Sequence, residues 1–468
     1  MTEEENPSED SLKFWLQHIE SFHPADIKLG LDRIKLVAEQ IGLFTNAGLF
    51  ASTGSESREA GGEFNGTSSA AQAAEKQPKI IIVGGTNGKG SCVAMLESLC
   101  LTNNYSVGCY TSPHLLDFNE RIRINGQMVT DDVLVEAFKS IEQKRQQVAL
   151  TFFEFTTLAA LVVFRQFPLD LIVLEVGLGG RQDATNFVEP DLSVITTIDI
   201  DHTDWLSNDI DRIAYEKAGI MRMDKTTLVG DQKSYALLNK VVPEFCHQAH
   251  VVENAHHELA KKLTSEQDNP YQLLPQNLLL AKTAFESVLG VELNDQNFFN
   301  ALRSIKINGR FQQVDVGTND VMNNNIGPVI VDVAHNAQAA GNLAKQLERF
   351  VQSNNISRVT AICGMMADKA VSDVLETLSS QINHWCFVDL DMPRAMESSQ
   401  LLTLHRELQL KSSAAIFISV KEAFDSIVKS SLDSEVNSGQ TMNKADELVL
   451  VFGSFITVAN MLRYAQKK

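Results

Sequence analysis

Residues 84–91 read GGTNGKGS, a run of small residues with one positive charge, Lys89. Four apolar residues precede it, Ile80 to Val83, bounded by glycine as a short buried strand would be. Val93, Leu96, Leu99 and Cys100 follow at helical spacing, which predicts a helix from Gly88 onward. A strand, a glycine-rich turn and a helix start aim several backbone N–H groups at one anion. Lys89 would add charge, and the Ser91 hydroxyl could reach a metal ion on bound phosphates. The spacing departs from GxxxxGK[ST]. Val83 stands where the first glycine belongs, and Gly90 separates Lys89 from Ser91. An ordinary glycine-rich turn is the bland alternative to ATP binding.

Other reactive side chains fall at the ends of further apolar runs. Ser112 to His114 follow one, Glu175 closes the run 169–176, and Asp199 to His202 follow a third. Singly, a strand-end Glu is often a helix cap and a lone His a solvated loop residue. Jointly they lie at the carboxyl edge of the predicted strands, where open parallel sheets bind ligands. A hydroxyl, a carboxylate and an imidazole beside phosphate oxygens suit a divalent cation. Mg²⁺ prefers oxygen, so the imidazole points to a second, less strict site or to Mn²⁺.

The elements that must position these residues alternate. Helical spacing marks 12–20 and 30–43, with the polar HPADIKLG between them. Residues 45–77 are rich in Gly, Ser, Ala, Glu and Gln, and predict a flexible insertion, with a substrate-gating loop as the alternative. Strands are expected at 107–111, 169–176, 192–200 and 227–229, and helices at 133–141, 152–164, 210–220, 278–289 and 298–305. Strands are expected again at 329–333, 359–363, 385–388, 415–418 and 448–452. Helices at 337–350, 371–378, 401–408, 424–428 and 456–462 accompany them. The fold class is α/β: a P-loop-type, mostly parallel-sheet ATPase domain over 1–306, then a smaller Rossmann-like α/β domain over 307–468. The boundary falls between Leu302 and Arg310.

Composition narrows the function. A length of 468 residues suggests two or three domains, and 44% apolar content is that of a globular chain. No apolar run reaches the roughly 18 to 20 residues of a membrane span. The start, MTEEENPSEDS, is acidic and unlike a secretory signal. Six cysteines without CxxC spacing are expected to be free thiols in a reducing cytoplasm. A net charge of −19 opposes nucleic acid and acidic membranes as partners, so an anionic substrate needs isolated local cations.

Seven segments occur together: GTNGKGS, TSPHL…ERIRING, LEVGLGGRQDATN, DHTDWL, EKAGI, GRFQ and DVAHN. In this order they resemble the folylpolyglutamate synthases of the Mur ligase superfamily, above all their bifunctional bacterial type, which also makes dihydrofolate. The likeness runs from Trp15 over nearly the whole chain and omits the insertion. It implies that ATP phosphates lie on Thr86, Asn87, Gly88, Lys89, Gly90 and Ser91, and that Asn277 touches the adenine side. Arg310 and Asp332 would reach ATP from the second domain, with His335 nearby. It implies metal ligation by Ser112, Glu175, His202 and Lys217, the last as a carbamate, for two Mg²⁺ ions or Mn²⁺ in their place. The pteroate pocket would comprise Asp26, Ile27, Lys28 and Leu29, then Thr151, Phe152, Phe153 and Glu154, then Gln182, Asp183 and Ala184. Phe153 would stack on the pterin, with a core position as its alternative, and Asp183 would accept pterin N–H groups. Ser454 would meet the incoming glutamate. Gln182, Asn308 and Ala337 depart from the family pattern, and none of them removes a charged or metal-binding group.

The implied substrates are dihydropteroate, reduced folates, L-glutamate and ATP, acted on by a monomer with Lys89, Lys217 and His202 in catalysis. The substrate carboxylate would attack the γ-phosphate of ATP, and the glutamate amine would then displace phosphate from the acyl phosphate. A monofunctional folylpolyglutamate synthase is one alternative. A Mur-type cell-wall ligase is another, although only 83 residues precede Gly84 to hold its nucleotide-sugar domain. A non-catalytic ATP-binding module is the third. The retained Lys89, Glu175, His202, Lys217 and Arg310 argue against it.

Overall fold

The computed structural model describes residues 8–21, 28–45, 48–49, 77–201, 208–252, 257–263, 269, 273–316, 326–438 and 446–467. Asp26, Ile27, His202 and nearly all of the 45–77 insertion lie outside the described residues. After a small antiparallel pair, β1 (Phe44–Thr45) and β2 (Gly48–Leu49), eight strands build the first large sheet. They are β3 (Lys79–Gly84), β4 (Val107–Tyr110), β5 (Ile122–Ile124), β6 (Gln127–Met128), β7 (Leu171–Glu175), β8 (Leu192–Ile195), β9 (Thr226–Val229) and β10 (Ala249–Val251). Their order is β10-β9-β8-β3-β7-β4-β5-β6. It is parallel from β10 to β4, and β5 and β6 then run antiparallel along one edge.

The central strands are unbroken apolar runs because both of their faces are covered. Ile81 and Val83 point into a core shared with helices Lys89–Thr102, Pro275–Leu289 and Asp295–Ser304. Ile80 and Ile82 point the other way, towards Leu12–Glu20, Asp32–Gln40, Asp131–Lys144 and Phe152–Phe164. Register then fixes the active edge. Val83 pairs with Glu175 across β3 and β7, and Gly84 pairs with Ile195 across β3 and β8.

The second sheet contains β11 (Gln312–Val314), β12 (Val329–Asp332), β13 (Arg358–Cys363), β14 (His384–Val388), β15 (Ser413–Phe417) and β16 (Glu447–Phe452) in the order β11-β12-β16-β13-β14-β15. Only β11 is antiparallel to its neighbour. Helices Ala337–Ser353, Val371–Leu378 and Ser398–Glu407 cover one face, and Val420–Ser438 and Phe455–Gln466 the other.

Several boundaries differ from expectation. The strand expected over 192–200 ends at Ile195, because the next residues bond to the glycine loop instead of a neighbouring strand. The β5–β6 hairpin, β10, β11 and helix Gln232–Val241 were not anticipated. They are short or lack clean periodicity. The helix expected at 424–428 runs over Val420–Ser438. Among the described residues no helix is long and apolar enough to cross a membrane, and all six cysteines are free and buried.

The turn after β3 needs two glycines for different reasons. Gly85 has φ +138°, and a Cβ there would overlap the Thr196 hydroxyl. Gly88 caps helix Lys89–Thr102 at φ +89°, with the Asn277 amide pressed where its side chain would be. Gly85→Ala is therefore expected to destabilise the protein by about 3 kcal/mol, from positive-φ strain plus the clash with the Thr196 hydroxyl. Urea unfolding checks this, and a change below about 0.5 kcal/mol would contradict it.

Candidate active site

The loop after β3 is shaped by the chain leaving β8. Thr86 N–H donates to the Thr197 carbonyl at 2.7 Å, and its hydroxyl both donates to the Asp199 carbonyl and accepts from Asp199 N–H, each at 3.0 Å. Asn87 N–H donates to the Thr197 hydroxyl at 3.1 Å, while the Thr196 hydroxyl donates to the Asn87 carbonyl at 2.7 Å. Lys89 turns its Nζ back onto the Gly85 and Thr86 carbonyls at 3.1 and 3.2 Å. Ser91 is buried. Glu175 Oε1 would lie 4.0 Å from a Cβ at Gly90, so the carboxylate stands at the start of the helix.

Burial sets the charges here. It pushes the Glu175 carboxyl up, against the pull of Lys89 and of a 3.2 Å hydrogen bond from Ser112 N–H. It pulls Lys89 down, opposed by Glu175 and Asp201. Lys217 is 4% exposed, and burial followed by repulsion from Lys89 brings its amine down to about 7. A half-neutral amine at neutral pH is one that can react with CO₂. Among the described residues no group of three or more His, Cys, Asp or Glu side chains could hold a metal ion. His202, the remaining ligand implied by the resemblance, lies outside them. The donors present nevertheless fit a hard cation: Glu175 is a desolvated carboxylate that would gain from one, with Ser112 against it.

The residues of the expected pteroate pocket meet at the adjoining edge. Thr151 caps helix Phe152–Phe164 in a reciprocal box with Glu154. Glu154 also takes Arg33 through two contacts, at 2.9 and 3.2 Å, and Arg33 donates to the Lys28 carbonyl at 2.7 Å. Gly30 N–H reaches the Gln182 carbonyl at 3.4 Å, with Leu29 beside it. These contacts join all three segments. The Phe153 ring is half-buried, lies 5.8 Å from Tyr110, and has its Cζ 2.6 Å from where a Gly177 Cβ would be. Phe152 is also half-buried, and Ala184 is buried. The Asp183 oxygens accept from Gly177 and Leu178 N–H, and from Thr185 N–H and hydroxyl, at 2.6–3.0 Å. Four donors already occupy this carboxylate, which holds the LGG turn in shape.

The second sheet meets the loop directly. Asn87 and Asn336 exchange amide hydrogen bonds at 3.1 Å in both directions, and Asn87 Nδ2 donates to Gln338 Oε1 at 2.6 Å. Asp201 accepts from Asn336 at 2.9 Å and from Lys369 at 2.7 Å, with His335 Nε2 at 3.7 Å. Arg310 is half-buried, and its charge acts on both Lys89 and Glu175. Asp332 accepts Phe311 N–H and Ala334 N–H at 2.8 Å each, which fixes the GRF turn carrying Arg310. Asn277 is buried against Gly88 with its Oδ1 unpartnered. Ser454 caps Phe455–Gln466, accepting Thr457 N–H at 3.1 Å, and is itself buried.

Residues 309–455 match the family model described as "Mur ligase, glutamate ligase domain". Over 462 residues the chain is 33% identical to the dihydrofolate synthase/folylpolyglutamate synthase of Escherichia coli K12, covering 96% of this chain and 94% of that protein. The chain belongs to the dihydrofolate synthase/folylpolyglutamate synthase family. The fold agrees. E. coli FolC in complex with DHPP and ADP superposes with a TM-score of 0.77 at 31% identity, over 98% of this chain and 99% of that one. The bifunctional folylpolyglutamate synthase/dihydrofolate synthase of Yersinia pestis, complexed with AMPPNP and Mn ion, gives 0.76 at 31%, over 99% and 100%.

In this member of the dihydrofolate synthase/folylpolyglutamate synthase family, several contacts come from outside the motifs. Arg33, Gln338 and Lys369 carry no sequence signal, because each works by reaching a residue far away in the chain. Asp201 and Asn336 sit inside DHTDW and DVAHN and were legible there, although not as a pair. The Asn87–Gln338 bond ties the phosphate loop to the second sheet. An Asn87→Ala and Gln338→Ala double-mutant cycle on kcat/KM for ATP is expected to give a coupling of about 1 kcal/mol. Strict additivity would show that the bond contributes nothing.

Proposed function

We propose that this chain ligates L-glutamate to dihydropteroate, forming dihydrofolate, and to reduced folates, forming folylpolyglutamates, with ATP converted to ADP and phosphate. The observation that carries the reading is likeness to bifunctional synthases over almost the entire length of both chains. The acceptor carboxylate attacks the γ-phosphate to give an acyl phosphate, and the glutamate amine then attacks that carbonyl and releases phosphate. The chain's own residues position and neutralise. Backbone N–H groups of residues 88–91, at the start of the helix, face the polyphosphate, Lys89 leaves its loop carbonyls for a phosphate oxygen, and Arg310 brings charge from the second domain. Asn277, Asp332 and His335 complete the nucleotide site, and Ser454 the glutamate site. The contact between Asn87 and the pair Asn336 and Gln338 excludes water from the reactive acyl phosphate.

ATP and a divalent cation serve the reaction. We assign the cation to Ser112, Glu175, His202 and carbamylated Lys217, as two Mg²⁺ with Mn²⁺ able to substitute; it would neutralise phosphate charge. The three segments joined by Arg33 hold the pterin, with the face of Phe153 as its platform. The acidic chain acts as a cytoplasmic monomer on small molecules.

ADP release with MgATP and glutamate is expected with either dihydropteroate or a reduced folate monoglutamate, and not without an acceptor. Turnover with only one acceptor would reduce the reading to a single activity. Lys89→Ala is expected to lower kcat by about 100- to 1,000-fold. Only the neutral Lys217 amine forms a carbamate, and it is neutral above about 7. The ¹³C carbamate signal from labelled bicarbonate should therefore be present at pH 8, fade towards pH 6, and be absent in Lys217→Arg. A signal that survives Lys217→Arg would rule this assignment out.

A further inference from the structure

Two arginines on the same short stretch are treated in opposite ways. Arg123, in β5, pairs with Glu97 through contacts at 3.0–3.1 Å and donates to the Thr111 hydroxyl and the Glu120 carbonyl. Arg121, two residues earlier, is 9% exposed and has no such partner. Its Nε donates to His114 Nδ1 at 2.9 Å, and its guanidinium lies 5.5 Å from the ring centroids of both Phe118 and Phe152. Among the described residues no carboxylate forms an ion pair with it. The nearby acids are engaged elsewhere. Glu120 accepts the N–H groups of Leu115, Leu116 and Asp117, and Glu154 holds Arg33. A buried cation with only neutral partners is costly, and an arriving anion removes that cost.

The position says which anion. Phe152 opens the helix whose first turn belongs to the expected pteroate pocket, and Tyr110, at the end of β4, lies beside the guanidinium. Glu175 is close enough for its charge to act on Arg121. The polyphosphate of ATP has the glycine loop and Lys89. The acceptor is anionic only through carboxylate, one in dihydropteroate and those of the glutamyl tail in a folate. We propose that Arg121 receives the reacting carboxylate of the acceptor, the benzoate carboxylate of dihydropteroate or the terminal carboxylate of a folate, and orients it for attack. This inference rests on the glutamate-ligase reading above. The Phe118 and Phe152 rings, set at 87° to each other, both lie 5.5 Å from the guanidinium carbon and hold it in place, and a planar guanidinium can bind both oxygens of a carboxylate. His114 supports it as an acceptor, its Nδ1 taking the Arg121 Nε–H at 2.9 Å. A cleft of about 690 Å³ beside His114 and Phe118 is a poor rival seat, since Glu20, Asp117 and Asp131 outnumber Lys13 on its walls.

The test is binding by calorimetry, which is independent of turnover, with dihydropteroate and its analogue lacking the carboxylate. Wild type should bind dihydropteroate about 10- to 100-fold more tightly than the analogue. Arg121→Gln should lose that advantage while binding the analogue as wild type does, and Arg121→Lys should regain part of it. In steady state the KM for dihydropteroate should rise in Arg121→Gln with the KM for ATP within about twofold. Equal weakening of both ligands would make Arg121 a packing residue and overturn the inference. So would equal binding of the two ligands by wild type, a result obtainable even if Arg121→Gln does not fold. A wild type that binds dihydropteroate in this carboxylate-dependent way and ligates nothing supports the inference while overturning the ligase reading.

Discussion

The conformation of one residue, Asn87, supports the rest of the site. Its backbone is held by Thr196 and Thr197, from the chain leaving β8, and its side chain by Asn336 and Gln338 from the second sheet. A loop that binds phosphate through backbone N–H groups has to keep them convergent and unpaired within the protein, so its other polar groups need fixed partners. Here those partners come from both sides of the cleft. The shape of the glycine loop and the apposition of the two sheets are consequently one physical arrangement.

The same arrangement places charges where water is scarce. Burial drives Lys89 and Lys217 towards their neutral forms, and Glu175 likewise. Each group is poised for a partner of opposite sign or for a change of chemical form. Other charges are neutralised locally, as in Arg123 with Glu97, Arg33 with Glu154, and Lys369 with Asp201. Arg121, Lys89 and Lys217 are buried with no ion-pair partner among the described residues. Asp183 shows the converse. Its four internal donors make it a brace for the turn after β7, close to Phe153, which is the sort of support a precise pocket needs.

Much of the fold was legible because the central strands are buried on both faces and the helices carry regular apolar spacing. β3, β7 and helix Phe152–Phe164 lie where their apolar runs place them. Elements whose residues are set by neighbours were not legible. The strand at Leu192–Ile195 stops early because Thr196 and Thr197 bond to the glycine loop, and β5–β6 is a short polar hairpin at a sheet edge. Phe153 shows the same limit within the site. Sequence left it between core and platform, and its half-buried ring against Gly177 depends on a strand end more than twenty positions away.

By itself the sequence determined the chemistry on offer: a glycine loop with one lysine, and a carboxylate and an acidic, histidine-bearing segment at successive strand ends. Those features are local, because a turn needs its glycines and a strand end its polar residue wherever the chain later travels. Tertiary structure alone decided which of the described charges are paired and which are buried without an ion-pair partner. Arg121 and Arg123 stand two residues apart in ERIRING and are indistinguishable in type, yet one meets Glu97 and the other meets two phenyl rings and an imidazole. That difference comes from packing between elements distant in the chain, and burial turns it into a difference in electrostatic free energy.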